Sequence, residues 1–361
     1  MEQLTLEDIR ELSGWQPPLG VLSVYLEFDP RDRGAAWRTL LRNGLDRIVE
    51  AVEGAEHERR MAVRATVERL AERYENGEVR PPPRGEFGFV EVAEKGGRER
   101  WWGTGVPPQA SGPVVLAEQP LVWPLIGVCR RDGQHGVVLV SAERVRLLRF
   151  SGGGLEELAD WELTMTSLDW RERKSSSASD PATGQGVSSS GHDQYGERLE
   201  HNRERFLGEA GRLAGERLRD VADAVLFGSA PDREAFAAGV SSMPVELEAG
   251  SEADLISVPT GQLVEHVAAV TERLGAERER ALVERALGRA GGRPGVLGPQ
   301  ETLEALGEGR VEHLVFDGVV GDSAEALVRG ALAGGADVAE VRGEAAELLA
   351  EVGGVAGVVR Y

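Results

Sequence analysis

From Pro299 to Val359 the chain alternates helical and strand-forming apolar stretches, and this rhythm constrains the fold more than any other feature of its 361 residues. The spacing predicts helices at 299–306, 323–333 and 344–352 and strands at 311–316, 338–341 and 355–359. Each amphipathic helix must bury its apolar stripe against the strands. Such alternation therefore implies a parallel or mixed sheet sandwiched by helices, an α/β/α sandwich. A long helix from Gln262 to about Leu287, charged along one face, leads into it.

A chain of this length exceeds one typical core and suits two or three domains. Val21 to Phe28 reads as a strand. Two apolar helical faces follow, one through Trp37, Leu40, Leu41, Leu45, Ile48, Val49 and Val52, the other through Val63, Val67, Leu70 and Tyr74. Strands at 87–92 and 100–103 complete an α/β domain, closed by the turn-rich stretch from Val106 to Pro113. The second region has strand patterns at 125–130, 136–141, 145–150 and 155–163, with Asp132-Gly133 and Gly152-Gly153-Gly154 as hairpin turns. A strand at 221–227, a helix at 231–238 and a polar stretch from Ser241 to Glu252 end it. The expected class is α/β in three domains: 1–110, a mixed-sheet middle domain at 114–250, and the sandwich at 255–361.

Inside the middle region, residues 172–196 are small, polar and rich in glycine and serine, with almost nothing to bury. A connection of this length is either an idle surface insertion or a functional arm. Held at both ends, its tip could stand on the order of 40 Å from the body. Gln185 sits between Gly184 and Gly186. Glycines on both sides let the backbone approach a ligand closely. The Gln185 N–H could then stabilise an oxyanion or a leaving hydroxyl during ester cleavage. Its side-chain amide is a poor base and would position water rather than activate it.

The helix expected at 197–219 carries Arg198, Arg205, Arg212 and Arg219 at seven-residue intervals, with Arg203 nearby. Its buried face runs through Leu199, Phe206, Leu207, Ala210, Leu213, Ala214 and Leu218. Two explanations of the arginine stripe stay open. Glu209 and Glu216, four residues after Arg205 and Arg212, allow local salt bridges, and phosphate groups of an RNA would serve equally.

Charge limits what that RNA contact can be. The formal net charge of −20 argues against nonspecific phosphate binding by the whole chain. Between Arg171 and Arg219, nine basic and eight acidic residues nearly cancel. Any RNA must therefore meet a small patch held by geometry.

Other chemistries lack their motifs. The six histidines, at 57, 135, 192, 201, 266 and 313, form no metal-helix spacing, and the single Cys129 excludes a cysteine zinc cluster or an internal disulfide. Gly288-Arg-Ala-Gly-Gly292 follows a helix, not a strand, and so fails as a dinucleotide fingerprint. There is no phosphate-binding loop and no serine-hydrolase elbow. Neither metal nor cofactor is expected. With no stretch of 18 apolar residues and no secretory pattern at Met1 to Asp8, the expected setting is the cytoplasm, without membrane contact. The oligomeric state is not legible.

The carboxyl-terminal motifs carry a family likeness. Glu301 to Asp317, Gly334-Gly-Ala-Asp-Val-Ala-Glu-Val341 and Gly353-Gly-Val-Ala-Gly-Val-Val-Arg-Tyr361 resemble the last domain of archaeal and eukaryotic class I peptide-chain release factors and Pelota. The order of regions before it is similar, so the chain looks like a bacterial branch of that family. In the family a Gly-Gly-Gln loop enters the ribosomal peptidyl transferase centre and promotes hydrolysis of the peptidyl-tRNA ester. The resemblance thus implies ribosome, tRNA and rRNA as partners, with Gly184 and Gln185 in the motif and Thr183 where its first glycine stands. Threonine resists positive φ, so this departure bears on activity. No stop-codon motif is recognisable in the first region, which directs the expectation to ribosome rescue or translation quality control. The alternatives are a noncatalytic ribosome- or RNA-binding factor resembling Pelota, and a tRNA-cleaving nuclease on the same scaffold.

Overall fold

The computed structural model describes residues 4–28, 36–75, 84–108, 110, 112–131, 134–163, 170–172, 192–219, 221, 223–240, 246–251, 254–289 and 295–360. These divide into two compact units. One comprises residues 1–133 together with 273–361, and the other comprises residues 134–272.

The first unit opens with helix α1 (Leu6–Ser13). The Thr5 hydroxyl accepts the Asp8 N–H while the Asp8 carboxylate accepts the Thr5 N–H, a reciprocal cap that satisfies two otherwise orphaned donors. Strand β1 (Val21–Glu27), helices α2 (Ala36–Ala51) and α3 (His57–Glu75), and strands β2 (Gly85–Glu91), β3 (Glu99–Thr104) and β4 (Val114–Ala117) follow. They form an antiparallel sheet in the order β3-β2-β1-β4. Leu41, Leu45 and Ile48 of α2 and Val63 and Leu70 of α3 cover one face, over Leu22, Val24, Leu26 and Val90. Leu40, expected on the same apolar face, is exposed instead, because one step along the helix turns it about 100° away from Leu41. The opposite face, with Tyr25, Phe87, Phe89 and Trp102, packs against α1 and against helix α4 (Trp123–Arg131).

Helix α4 corrects the strand expected at 125–130. A short apolar run has no periodicity of its own with which to choose, and Trp123, Leu125, Ile126 and Val128 are all buried. Tertiary capping decides it. The Glu325 carboxylate accepts the backbone N–H groups of Val122 and Trp123 at 2.9 Å, and Pro124 stands in the first turn, where no N–H is needed.

The second unit is one six-stranded mixed sheet and its helices. Strands β5 (His135–Val140), β6 (Arg144–Ser151), β7 (Gly154–Leu163) and β8 (Trp170–Glu172) run antiparallel in sequence. The turn joining β6 to β7 holds Gly152 at φ 58° and Gly153 at φ 74°, the two positive values that a tight primed turn requires. Helix α5 (His192–Arg217) leads to β9 (Asp223–Phe227), α6 (Ala230–Val240) and β10 (Glu246–Ala249). Both strands add in parallel, giving the order β10-β9-β5-β6-β7-β8. Strand β10 lies in the polar stretch from Ser241 to Glu252, where no strand was expected. The turn expected at Asp132-Gly133 lies outside the described residues.

Helix α7 (Thr260–Ala286) contributes its residues up to Glu272 to the second unit and those from Arg273 to the first. There the chain continues as β11 (Val296–Leu297), α8 (Pro299–Gly307), β12 (Val311–Asp317), α9 (Ala324–Ala333), β13 (Asp337–Val341), α10 (Gly343–Ala350) and β14 (Val355–Val359). The sheet order is β11-β14-β12-β13, with only β12 and β13 parallel. Ala305, Leu306, Leu327 and Val328 cover one face. Val283, Ala345 and Leu349 cover the other, so the expected α/β/α sandwich forms.

The sandwich and the first sheet share one core, in which Phe316, Leu327 and Val328 join Ile9, Phe89 and Trp123. A polar clip reinforces it. Arg329 pairs with Glu325 at 2.7 Å, donates to the Ser13 carbonyl at 2.6 Å, and reaches the Pro120 carbonyl as well. Breaking such a largely buried pair from one side costs about 3–5 kcal/mol. The two units describe packing, whereas the three-domain parse at 1–110, 114–250 and 255–361 is a proposal about modules.

Candidate functional site

Thr183, Gly184, Gln185 and Gly186 lie outside the described residues, as does the side chain of Arg198. The elements on either side of them are described. Strand β8 pairs with β7 through Trp161↔Glu172, Glu162↔Arg171 and Leu163↔Trp170, at the edge of the six-stranded sheet. Helix α5 begins at His192. The glutamine-bearing segment thus connects an edge strand to the first turn of the longest helix that belongs wholly to this unit.

Helix α5 is held to its sheet by Phe206, Leu207, Ala210, Ala214 and Leu218, with Leu213 partly buried beside them. Its contact with α6 is unusually close because glycines face one another. A Cβ on Gly239 would stand 1.9 Å from the Gly208 carbonyl oxygen, and one on Gly211 would stand 2.2 Å from that of Phe236. This pins the helix that follows the loop. Arg217 adds a second anchor, donating to the Leu158 carbonyl at 3.0 Å and lying 5.3 Å from the Trp161 ring centroid. Neither the glycine contact nor Arg217 was read from the sequence, although Gly208, Gly211 and Gly239 are the small-residue signal for a close helix crossing.

The arginine stripe resolves into different environments. Arg212 donates to Glu216 at 2.6 Å and to Glu209 at 2.7 Å, so the salt-bridge explanation holds there. The hydrogen bond from Arg212 holds the Glu209 carboxyl below the usual carboxylate range, and the charge of Arg205 adds to it. Arg205 itself is exposed, and Arg203 is half-buried. Among the described residues neither has an ion pair. Arg219 is exposed just past the helix end. Arg203 and Arg205 are therefore the described cations on this helix best able to accept an outside phosphate.

The rest of the unit is internally committed. Arg146, 5% exposed, pairs with Glu157 and donates to the Ile256 and Val258 carbonyls and the Thr260 hydroxyl. Arg144 makes a two-pronged bond to Asp160, both arms at 2.8 Å. His135 pairs with Asp223. Among the described residues no group of three or more His, Cys, Asp or Glu is arranged to hold a metal ion. No helix among them is long and apolar enough to cross a membrane. The chemistry at hand is positional: a helix bearing exposed cations, anchored on its sheet and preceded in sequence by a glycine-flanked amide.

Residues 120–279 match the family model of bacterial archaeo-eukaryotic release factor family 10. That span contains the glutamine-bearing segment and all of α5, whereas the family likeness in the sequence was carried by residues 301–361. No curated protein matches. Among solved structures, the archaeal translation termination factor aRF1 is 19% identical, covering 99% of each chain with a TM-score of 0.27. Archaeal Pelota, from a model of ribosome-bound Pelota and ABCE1, is 13% identical over 100% of this chain and 95% of its own, with a TM-score of 0.41. Dom34 of S. cerevisiae, a translation termination-like factor, is 9% identical over 77% and 80%, with a TM-score of 0.43.

Proposed function

We propose, proceeding from a chain whose residues 120–279 belong to the bacterial archaeo-eukaryotic release factors, that it acts on stalled ribosomes in the cytoplasm and hydrolyses the peptidyl-tRNA ester. Water attacks the ester carbonyl carbon, and the bond to the terminal ribose breaks to leave a free carboxyl on the peptide and a hydroxyl on the tRNA. The Gln185 N–H stabilises the developing oxyanion or the leaving hydroxyl, with Gly184 and Gly186 giving the backbone its freedom. Arg198, Arg203 and Arg205 meet RNA phosphates, while Arg212 is committed to Glu209 and Glu216. No metal or cofactor enters this scheme.

One observation carries this reading. The family match covers all of the second unit, in which a glycine-flanked glutamine precedes in sequence a helix that presents Arg203 and Arg205 without intramolecular ion pairs among the described residues. Purified protein incubated with stalled ribosomes carrying labelled peptidyl-tRNA tests it. Release of intact peptide with full-length tRNA supports hydrolysis, and tRNA shortened near its acceptor end identifies a nuclease instead.

The second reading, a noncatalytic ribosome- or RNA-binding factor, is favoured by Thr183 at the place of the motif's first glycine. It predicts co-sedimentation with ribosomes and no release.

A further inference from the structure

We propose that the open edge of β4 is a docking site for an extended acidic peptide segment of a partner protein, which adds there as a further strand. The site lies in the first unit, independent of the glutamine-bearing segment. A cavity of about 480 Å³ beside β4 is lined by Ile48, Val52, Pro113 and Val114 and by Arg47 and Arg59.

The backbone register leaves β4 able to accept a strand. Tyr25 donates its N–H to the Pro113 carbonyl at 2.8 Å, and β1 pairs Val24 with Val114 and Leu22 with Leu116. In an antiparallel ladder, residues alternate between facing their partner and facing away. Pro113, Val115 and Ala117 therefore face β1, and the N–H and C=O groups of Val114 and Leu116 point to the open side. Among the described residues, β4 has one strand neighbour in the sheet. An exposed edge of this kind templates an added strand ~4.8 Å away. Main-chain bonds then supply affinity and the wall side chains supply selectivity.

Charge selects the occupant. Among the described residues neither Arg47 nor Arg59 has an ion pair, and the Arg59 Nε is buried without a hydrogen-bond partner. Two uncompensated guanidinium groups in a chain of net charge −20 mark the one place in this groove where a carboxylate gains rather than loses. An apolar lining and the two outward main-chain N–H groups suit a peptide better than a nucleic acid, whose bases find no aromatic among the lining residues.

The experiment uses the full chain and a hexapeptide alternating glutamate and valine, its lysine–valine counterpart, and a uridine hexanucleotide as probes. Binding is followed by titration, and backbone amide exchange is followed at each residue. The acidic peptide is expected to bind and to slow exchange at Val114 and Leu116. Exchanging both Arg47 and Arg59 for glutamate should weaken it by roughly tenfold or more. Leu116→Pro, which removes an outward N–H without touching the β1 ladder, should do likewise. The milder Arg47→Gln and Arg59→Gln variants serve if Leu116→Pro unfolds. The proposal is overturned if the acidic peptide fails to bind, if it binds without protecting Val114 and Leu116, if the lysine peptide binds equally well, or if only the oligonucleotide binds.

Discussion

Arg212 is tied to Glu216 across one helical turn at 2.6 Å, while Arg205, a heptad earlier, holds no such pair among the described residues. The spacing makes these two arginines look equivalent; their surroundings make them different. If α5 meets RNA phosphates, Arg205→Glu should weaken ribosome binding and lower the slope of log affinity against log salt by about 0.7–0.9 per lost contact. Arg212→Ala should leave that slope nearly unchanged. Co-sedimentation at several salt concentrations separates them, and equal effects would remove the distinction.

The close crossing of α5 and α6 leaves no room at Gly239. A methyl group there meets the Gly208 backbone, which cannot move aside as a flexible side chain would. Gly239→Ala should therefore destabilise the second unit by about 1–3 kcal/mol despite the better helix propensity of alanine. A fall in the urea midpoint is expected. An unchanged midpoint would mean the helices separate at little cost.

Burial raises the carboxyl of Glu279 above the usual carboxylate range, partly opposed by the Arg342 N–H that it accepts at 3.0 Å. With its folded value above its unfolded one, the folded protein holds a proton that the unfolded chain has already released. Stability from this group is thus present at acid pH and lost as pH rises from the ordinary glutamate range through the raised value. Glu279→Gln keeps an acceptor oxygen but cannot titrate. Its stability relative to the parent protein should therefore improve as pH rises through that window. A pH-independent difference between the two unfolding curves would contradict this.

Thr183 offers a test in the opposite direction. Threonine disfavours the positive φ that glycine permits, so Thr183→Gly should speed peptide release if that position limits the loop's productive conformation. A rate that is unchanged or slower would show that threonine is compatible with whatever the loop does.

The carboxyl-terminal sandwich was legible because its signal is local. Each expected helix and strand from 299 to 359 forms, with ends shifted by a residue or two. Among the elements that were not read, three show different reasons. Helix α1 is short, though the Thr5 and Asp8 cap was visible in the sequence. Strand β10 sits among polar residues and exists by pairing with β9. Strand β4 begins just after the turn-rich stretch that was read as closing the first domain, and it exists by pairing back with β1. Helix α4 was taken for a strand because the group that caps it, Glu325, lies about 200 residues away in sequence. On helix α5, the buried face was readable from periodicity, but which arginine would be neutralised was not. Glu209 stands four residues from Arg205 and three from Arg212, and only side-chain geometry awards it to Arg212.

The most direct test of the central claim is single-turnover release of labelled peptide from stalled ribosomes by the parent protein and by Gln185→Ala and Gly184→Ala variants that still co-sediment. Gly184→Ala restricts the backbone that presents the Gln185 N–H, and loss of that donor should slow release by ~100- to 1000-fold. Gln185→Ala keeps the N–H but removes the side-chain amide that positions water, and should slow release as well. Release at the parental rate from the bound variants would contradict a catalytic role for this loop.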